Sequence, residues 1–213
     1  MLATCREPAA STQPRHPRLH WARLDVTDEA SIEQAARIAE ERLGRVHLLL
    51  NVAGQLAPTG QQPEKKLEHI DPASLHAMFA VNAVGPLLVA RGFLPLLKHD
   101  EPAIIANLSA RVGSIEDNHL GGWYGYRASK AAQNQFTRTL AIEVARRAKR
   151  VRVVALHPGT VNTDLSRPFH RNVPPHKLFE PERAARQLLD VLDELGPGDH
   201  GGFFAWDGSR IPW

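Results

Sequence analysis

Apolar positions along this chain follow two alternating rhythms. Leu19–Val26 ("LHWARLDV") alternates apolar and polar residues and predicts a strand. The next segment, "SIEQAARIAEERLG", places Ile32, Ala35, Ala36, Ala39 and Leu43 on one face of a helix. Ser31 and Gln34 have the spacing of a capping box, and Gly44 is the expected stop. Val46–Leu50 ("VHLLL") is a short apolar run, as in a strand buried on both faces. After a loop rich in Pro, Gly and Gln, Asp71-Pro72 offers an N-cap with proline at the first helical position. That helix is expected to run through "LHAMFAVNAVGPLLVARGFLPLL" with a bend near Gly85-Pro86. Ala103–Ser109 is the next strand, a helix follows over about Tyr124–Lys149, and Val151–His157 is another buried strand. A proline-rich loop from Pro158 to about Glu180, the helix "PERAARQLLDVLDEL" and the short strand "GGFFAW" complete the chain.

Strands alternating with helices predict one α/β domain over residues 1–213, a parallel sheet covered on both faces. The length suits a single core, and 43% hydrophobic with 23% charged residues is ordinary for a globular protein. A net charge of +3 makes no case for nucleic acid. Cys5 is the only cysteine, which excludes an internal disulfide framework and fits a reducing cytoplasm. The N-terminus lacks the pattern of a signal peptide, and no uninterrupted apolar run approaches the roughly 20 residues of a membrane span. The 11 histidines show no metal-ligand spacing, so no metal site is expected.

Candidate chemistry concentrates in "GGWYGYRASKAAQN", where Tyr126 and Lys130 stand four apart and share a helical face. A free phenol, with a pKa of about 10, is a poor proton donor or acceptor at neutral pH. A nearby ammonium stabilises the phenolate and lowers that pKa, which suits acid–base work on a hydroxyl or carbonyl. Alone, the pair also describes a half-buried tyrosine beside a solvated lysine. Three loops accompany it, each after a buried strand: "NVAG", "NLSA" and "HPGTVNT". The carboxyl ends of parallel strands are where open α/β sheets bind ligands.

With these motifs in this order, the chain resembles the short-chain dehydrogenase/reductase family. "CREP", "LDVTDEASI", "RVGSI", "GGWYGYRASKAA", "HPGTVNTDLSRPF" and the "WDG…IPW" ending resemble its branch of C-factor signalling proteins and Sniffer-like carbonyl reductases. The resemblance implies a Rossmann-like doubly wound sheet and hydride transfer between a nicotinamide cofactor and a small carbonyl or alcohol. It implies that Tyr126 is the general acid or base, and that Lys130 lowers its pKa and bonds the nicotinamide ribose. Asn82 matches an asparagine holding a water of the proton relay; an asparagine satisfied at a helix kink is the plainer account of it. Asn51, Ala53 and Gly54 match a cofactor-side loop, Asp25 and Val26 an adenine contact, and Pro158, Gly159 and Thr163 the carboxamide loop. Asp25 also reads as a helix cap. Arg6 matches a basic residue pairing with a 2′-phosphate, which favours NADP over NAD; an arginine's planar fork suits that contact. Tyr124 reads as a wall of the cleft.

Two departures stand out. The family's second serine after the central strand is Ala110 here, with Ser109 before it. Ser114, twelve residues before Tyr126, is the expected substitute. The second departure concerns the family's opening strand and T-G-x-x-x-G-x-G turn, whose amides hold the pyrophosphate. "MLATCREP" resembles the end of the second strand, so the first βα unit is expected to be missing. The readings that follow are an oxidoreductase lacking its start, or a shortened relative acting through protein binding. A serine hydrolase is disfavoured because no G-x-S-x-G elbow is present. Leu19–Val26 is expected to lose its tie to the remaining sheet, with Met1–Pro17 poorly anchored and an apolar slot that promotes association into oligomers.

Overall fold

The computed structural model describes residues 1–8 and 14–213. β1 (Leu2–Cys5) and β2 (His20–Arg23) form a parallel pair, with Leu2 opposite His20 and Cys5 opposite Arg23. α1 (Glu29–Leu43) leads to β3 (Leu48–Asn51). α2 (Pro72–Phe79), a π-helical turn (Ala80–Val84) and α3 (Gly85–Leu97) are continuous and lead to β4 (Ala103–Leu108). α4 (Tyr124–Arg147) precedes β5 (Val151–His157). Within the long loop, β6 (Thr160–Val161) pairs with β7 (Leu178–Phe179). α5 (Pro181–Glu194) and β8 (Phe203–Ala205) finish the fold. The larger sheet has the order β3-β4-β5-β8, all parallel. This is the Rossmann-like α/β architecture expected from the alternating pattern.

Side chains of successive strand residues part to opposite faces. Ile105, Val151 and Val153 pack with Ile32 of α1, Phe93 and Leu97 of α3 and Val144 of α4. Ala106, Val154 and Leu156 pack with Leu188, Val191 and Leu192 of α5. Burial on both faces explains why β4 and β5 read as uninterrupted apolar runs.

Several expectations need correction. α1 is capped by Asp28, whose carboxylate accepts from the Ala30 and Ser31 amides. The Ser31 hydroxyl turns back to the Asp25 and Asp28 carbonyls instead of forming a capping box with Gln34. β3 is not buried on both faces: Leu48 is 39% and Leu50 36% exposed. Among the described residues it pairs with β4 alone, leaving one edge open. The N-terminal segment is better anchored than expected, since Leu2–Cys5 pairs with β2 and the Trp21 indole donates to the Pro14 carbonyl. The rest of that expectation, residues 9–13, lies outside the described residues. Pro72–Leu97 forms one 26-residue helical stretch, long and apolar enough by composition to cross a membrane. Val89, Phe93 and Leu97 instead seat it in the core beneath the sheet. The expected bend near Gly85-Pro86 takes the form of the π turn just before it, a feature that often marks functional sites.

Candidate active site

The parallel register brings the carboxyl ends of β3, β4 and β5 to one side of the sheet, where the first turn of α4 meets them. Trp123, with φ of 51°, leads into that helix from the left-handed region. The turn is tied to a distant loop: the Trp123 amide donates to the Glu64 carbonyl, and the Glu64 carboxylate accepts from the Gly125 amide at 3.3 Å.

Tyr126 is 8% exposed, and burial pushes its phenol up to about 12. Among the described residues its hydroxyl has no hydrogen-bond partner, yet it is not sealed from solvent. Lys130 is 3% exposed, and burial lowers its ammonium to about 7. Its Nζ donates to the Leu108 carbonyl at 2.8 Å and to Gln133 Oε1 at 2.9 Å. The expected lowering of the phenol pKa by Lys130 is therefore not met in this state. Burial dominates at Tyr126, and the ammonium is turned toward the end of β4.

Asn82 is fully buried in the π turn. Its Oδ1 accepts from the Gln55 amide at 2.8 Å, and its Nδ2 donates to the Gln55 carbonyl at 2.8 Å and to Ser129 Oγ at 3.0 Å. The side chain thus staples the loop after β3 to α4, the role of an asparagine satisfied at a kink. Gly54 faces the same spot. A Cβ there would lie 3.4 Å from Asn82 Oδ1 and 3.6 Å from Lys130 Nζ. Asn51 is buried and turned inward, donating to Asn107 Oδ1 at 2.7 Å, while Ala53 is exposed.

Ser114 does not fill the gap left by Ala110. Its hydroxyl donates to the Trp213 carbonyl and accepts from the Asp117 amide, and the residue is 1% exposed. It ties the loop to the C-terminus, and its one donor is spent there. Ser109 is also committed, donating to Asn134 Oδ1 at 2.6 Å.

Arg6, Asp25 and Val26 gather at the ends of β1 and β2. Thr27's hydroxyl and amide, with smaller help from Arg6 and Arg23, hold the Asp25 carboxyl below its ordinary value. Val26 packs where a Cβ on Gly85 would stand, linking this group to the π turn. Pro158 and Gly159 follow β5. Gly159 has φ of 76°, and a Cβ there would lie 2.6 Å from the Phe179 ring and 3.0 Å from Trp206. Thr163 is exposed, its carbonyl accepting from the Ser166 and Arg167 amides.

Sequence reasoning missed Glu64, Ser129 and Gln133. Gln133 stands one helical turn past Lys130, so the same spacing argument that paired Lys130 with Tyr126 could have found it. Nothing local points to Glu64, which is 61 residues from Gly125.

The sequence pattern of the short chain dehydrogenase family matches residues 2–173. This chain belongs to the short-chain dehydrogenase family. As a member it is an oxidoreductase. It is 35% identical to the C-signal protein of Myxococcus xanthus over 147 residues, 69% of this chain and 83% of that protein. It is 32% identical to a 1-hydroxy-2-glutathionyl-2-methyl-3-butene dehydrogenase of a Rhodococcus species over 190 residues, 89% of this chain and 78% of that one. Among solved structures, the NADPH-bound carbonyl reductase from chicken fatty liver superposes with a TM-score of 0.86 at 31% identity, covering 100% of this chain and 87% of that one. The carbonyl reductase Sniffer of D. melanogaster does so with the same score and coverage at 26% identity.

Proposed function

We propose that this short-chain dehydrogenase is NADP-dependent and interconverts a small carbonyl compound and its alcohol. The observation that carries the reading is the Tyr126 hydroxyl, held on a buried ring, without a hydrogen-bond partner among the described residues and one turn from a buried ammonium. Supporting it are the NADPH-bound relative and the space kept clear by Gly54 beside Lys130 Nζ.

The residues fit the two ends of the cofactor differently. Lys130, with Gly54 leaving room beside it, suits a ribose hydroxyl, and Pro158, Gly159 and Thr163 suit a carboxamide. Arg6 beside Asp25 suits a 2′-phosphate. The chain contains no T-G-x-x-x-G-x-G turn for the pyrophosphate, and the first amides of α1 are already bonded to Asp28. When bound, the nicotinamide supplies or accepts the hydride.

Tyr126 handles the proton. A phenol raised by burial keeps its proton at neutral pH and can donate it to a carbonyl oxygen as that oxygen gains charge. Its buried ring fixes where the proton is held. Ala110 offers no hydroxyl to the same oxygen, so the developing charge rests on Tyr126 alone. A missing donor of this kind costs on the order of 10²–10³ in rate.

The test is oxidation of millimolar NADPH with a panel of aldehydes and ketones. Tyr126→Phe should lose at least about 10²-fold in turnover while keeping cofactor affinity, because only the proton is removed. Retained turnover in Tyr126→Phe would remove this residue from the mechanism. A second reading, partner binding without turnover, is favoured by the open edge of β3 with its exposed Leu48 and Leu50. Absence of turnover across the panel would favour it.

A further inference from the structure

Gln133 is a polar residue in an apolar place. It is 1% exposed on the inner face of α4. Its Oε1 accepts from Lys130 Nζ at 2.9 Å, while its Nε2 is sealed from solvent with no acceptor in reach. The amide cannot simply be turned over, because that would point its N–H groups at an ammonium that only donates. Burying an unsatisfied N–H is destabilising, and an apolar side chain of the same size would avoid it. The fold carries this defect at the residue that supplies Lys130 with a side-chain acceptor.

The surroundings tie down the turn of α4 that carries it. The Thr137 hydroxyl donates to the Gln133 backbone carbonyl at 2.8 Å and accepts from Asn107 Nδ2 at 2.9 Å. Asn107 Oδ1 in turn accepts from Asn51 Nδ2 at 2.7 Å. A buried polar chain therefore runs from β3 through β4 to the turn of α4 that carries Gln133. On the Lys130 side, Leu108 brings a carbonyl, Gly113 packs its backbone against the lysine stem, and Asn82 and Gly54 bring neutral groups. Tyr126, one turn earlier, is the titratable neighbour on the same helix. Burial is the sole cause of the Lys130 shift, so no charge from these elements offsets it.

We infer that Gln133 is a positioning residue for the reaction: with the Leu108 carbonyl it forms a two-acceptor cradle that fixes the Lys130 ammonium and leaves its third N–H for the space beside Gly54. This rests on the proposed function for its catalytic meaning, since that space is where a nicotinamide ribose would lie. The cradle itself is a property of the protein and is measurable without cofactor. A neutral acceptor 2.9 Å from Nζ favours the charged form, so it raises the affinity of a buried lysine for its proton. Gln133 thus opposes the burial that depresses the same group.

The experiment is carbon NMR on protein labelled at lysine Cε. The chain has six lysines, and Lys130 is identified by its loss in Lys130→Arg. In Gln133→Leu the Lys130 midpoint should fall by about one pH unit, a tenfold loss of proton affinity, while the melting temperature holds or rises. In Gln133→Glu the midpoint should rise, which gives a second reading should the leucine variant not fold. With NADPH and a carbonyl substrate, the pH profile of kcat/KM should move with the NMR midpoint. A Lys130 midpoint in Gln133→Leu within about 0.2 pH units of the parent would overturn the inference and make Gln133 a packing residue. A protein without turnover whose midpoint still moves would refute the proposed reaction and leave the cradle standing.

Discussion

Asn82 and Gln55 hold each other by a reciprocal pair of hydrogen bonds, amide to Oδ1 and Nδ2 to carbonyl, both at 2.8 Å and 27 positions apart in the chain. The π turn aims Asn82 at this loop, and Ser129 Oγ takes the remaining N–H. Asn82→Ala would leave the Gln55 backbone groups unpaired in a closed space. Its expected cost is about 2–4 kcal/mol, one to two unsatisfied groups. Urea unfolding measures it; a loss well under 1 kcal/mol would mean that water replaces the side chain easily.

Stability should depend on pH in three windows. His157 is pushed down to about 4, first by burial and then by Arg111, against a smaller opposing effect of Asp207. The unfolded chain then binds more protons between pH 4 and about 6.5, so stability should rise with pH across that range. Lys130, lowered to about 7, imposes the same sign from pH 7 to about 10.4. Tyr126, raised to about 12, reverses the sign above about pH 10, where the unfolded phenol ionises first. Each group alone contributes a slope of at most about 1.4 kcal/mol per pH unit. Urea unfolding from pH 4 to 11 should show the rise and the turnover, and Lys130→Met should flatten the 7–10 segment. A segment unchanged by that substitution would mean that other groups set it.

Gly159 is the residue that lets the loop after β5 pass close to Phe179 of β7. Its φ of 76° and the 2.6 Å approach to Phe179 leave no room for a methyl group. Gly159→Ala should destabilise the protein by about 2 kcal/mol and displace Phe179 from its edge-on contact with Trp206. Trp206 fluorescence reports the displacement. An alanine variant with the parent's stability and emission would contradict the close approach.

Cofactor affinity should be low for the 213-residue chain, because no glycine-rich turn offers amides to a pyrophosphate. Calorimetric titration with NADPH is expected to give no micromolar binding. Tight binding would show that another set of amides does the work.

The open edge of β3 should make the protein associate. Leu48 and Leu50 are exposed on a strand that pairs on one side only among the described residues. Sedimentation over a range of concentrations should show oligomers that Leu48→Lys reduces. A monomer at every concentration would rule this out.

The sequence by itself determined the main helices and sheet strands and their order, though not the short β6 and β7 inside the loop after β5. Val151–His157 was legible as a strand because its apolar run depends on neighbours within the same run. Asp71 was legible as a cap because the serine and proline it serves lie within three positions. The Tyr126–Lys130 spacing is likewise contained in one helical turn. Even locally, Asp28 outcompeted Ser31 for the cap of α1, since a carboxylate one step before the helix reaches two amides at once. What only the tertiary structure decided is where side chains point once distant segments meet. Ser114 spends its hydroxyl on the Trp213 carbonyl, 99 positions away. Lys130 turns to the Leu108 carbonyl, 22 positions back, and Asn51 to Asn107 across 56. Buried polar atoms must find partners wherever packing places them, and that choice is set by the assembled core, not by the residues on either side.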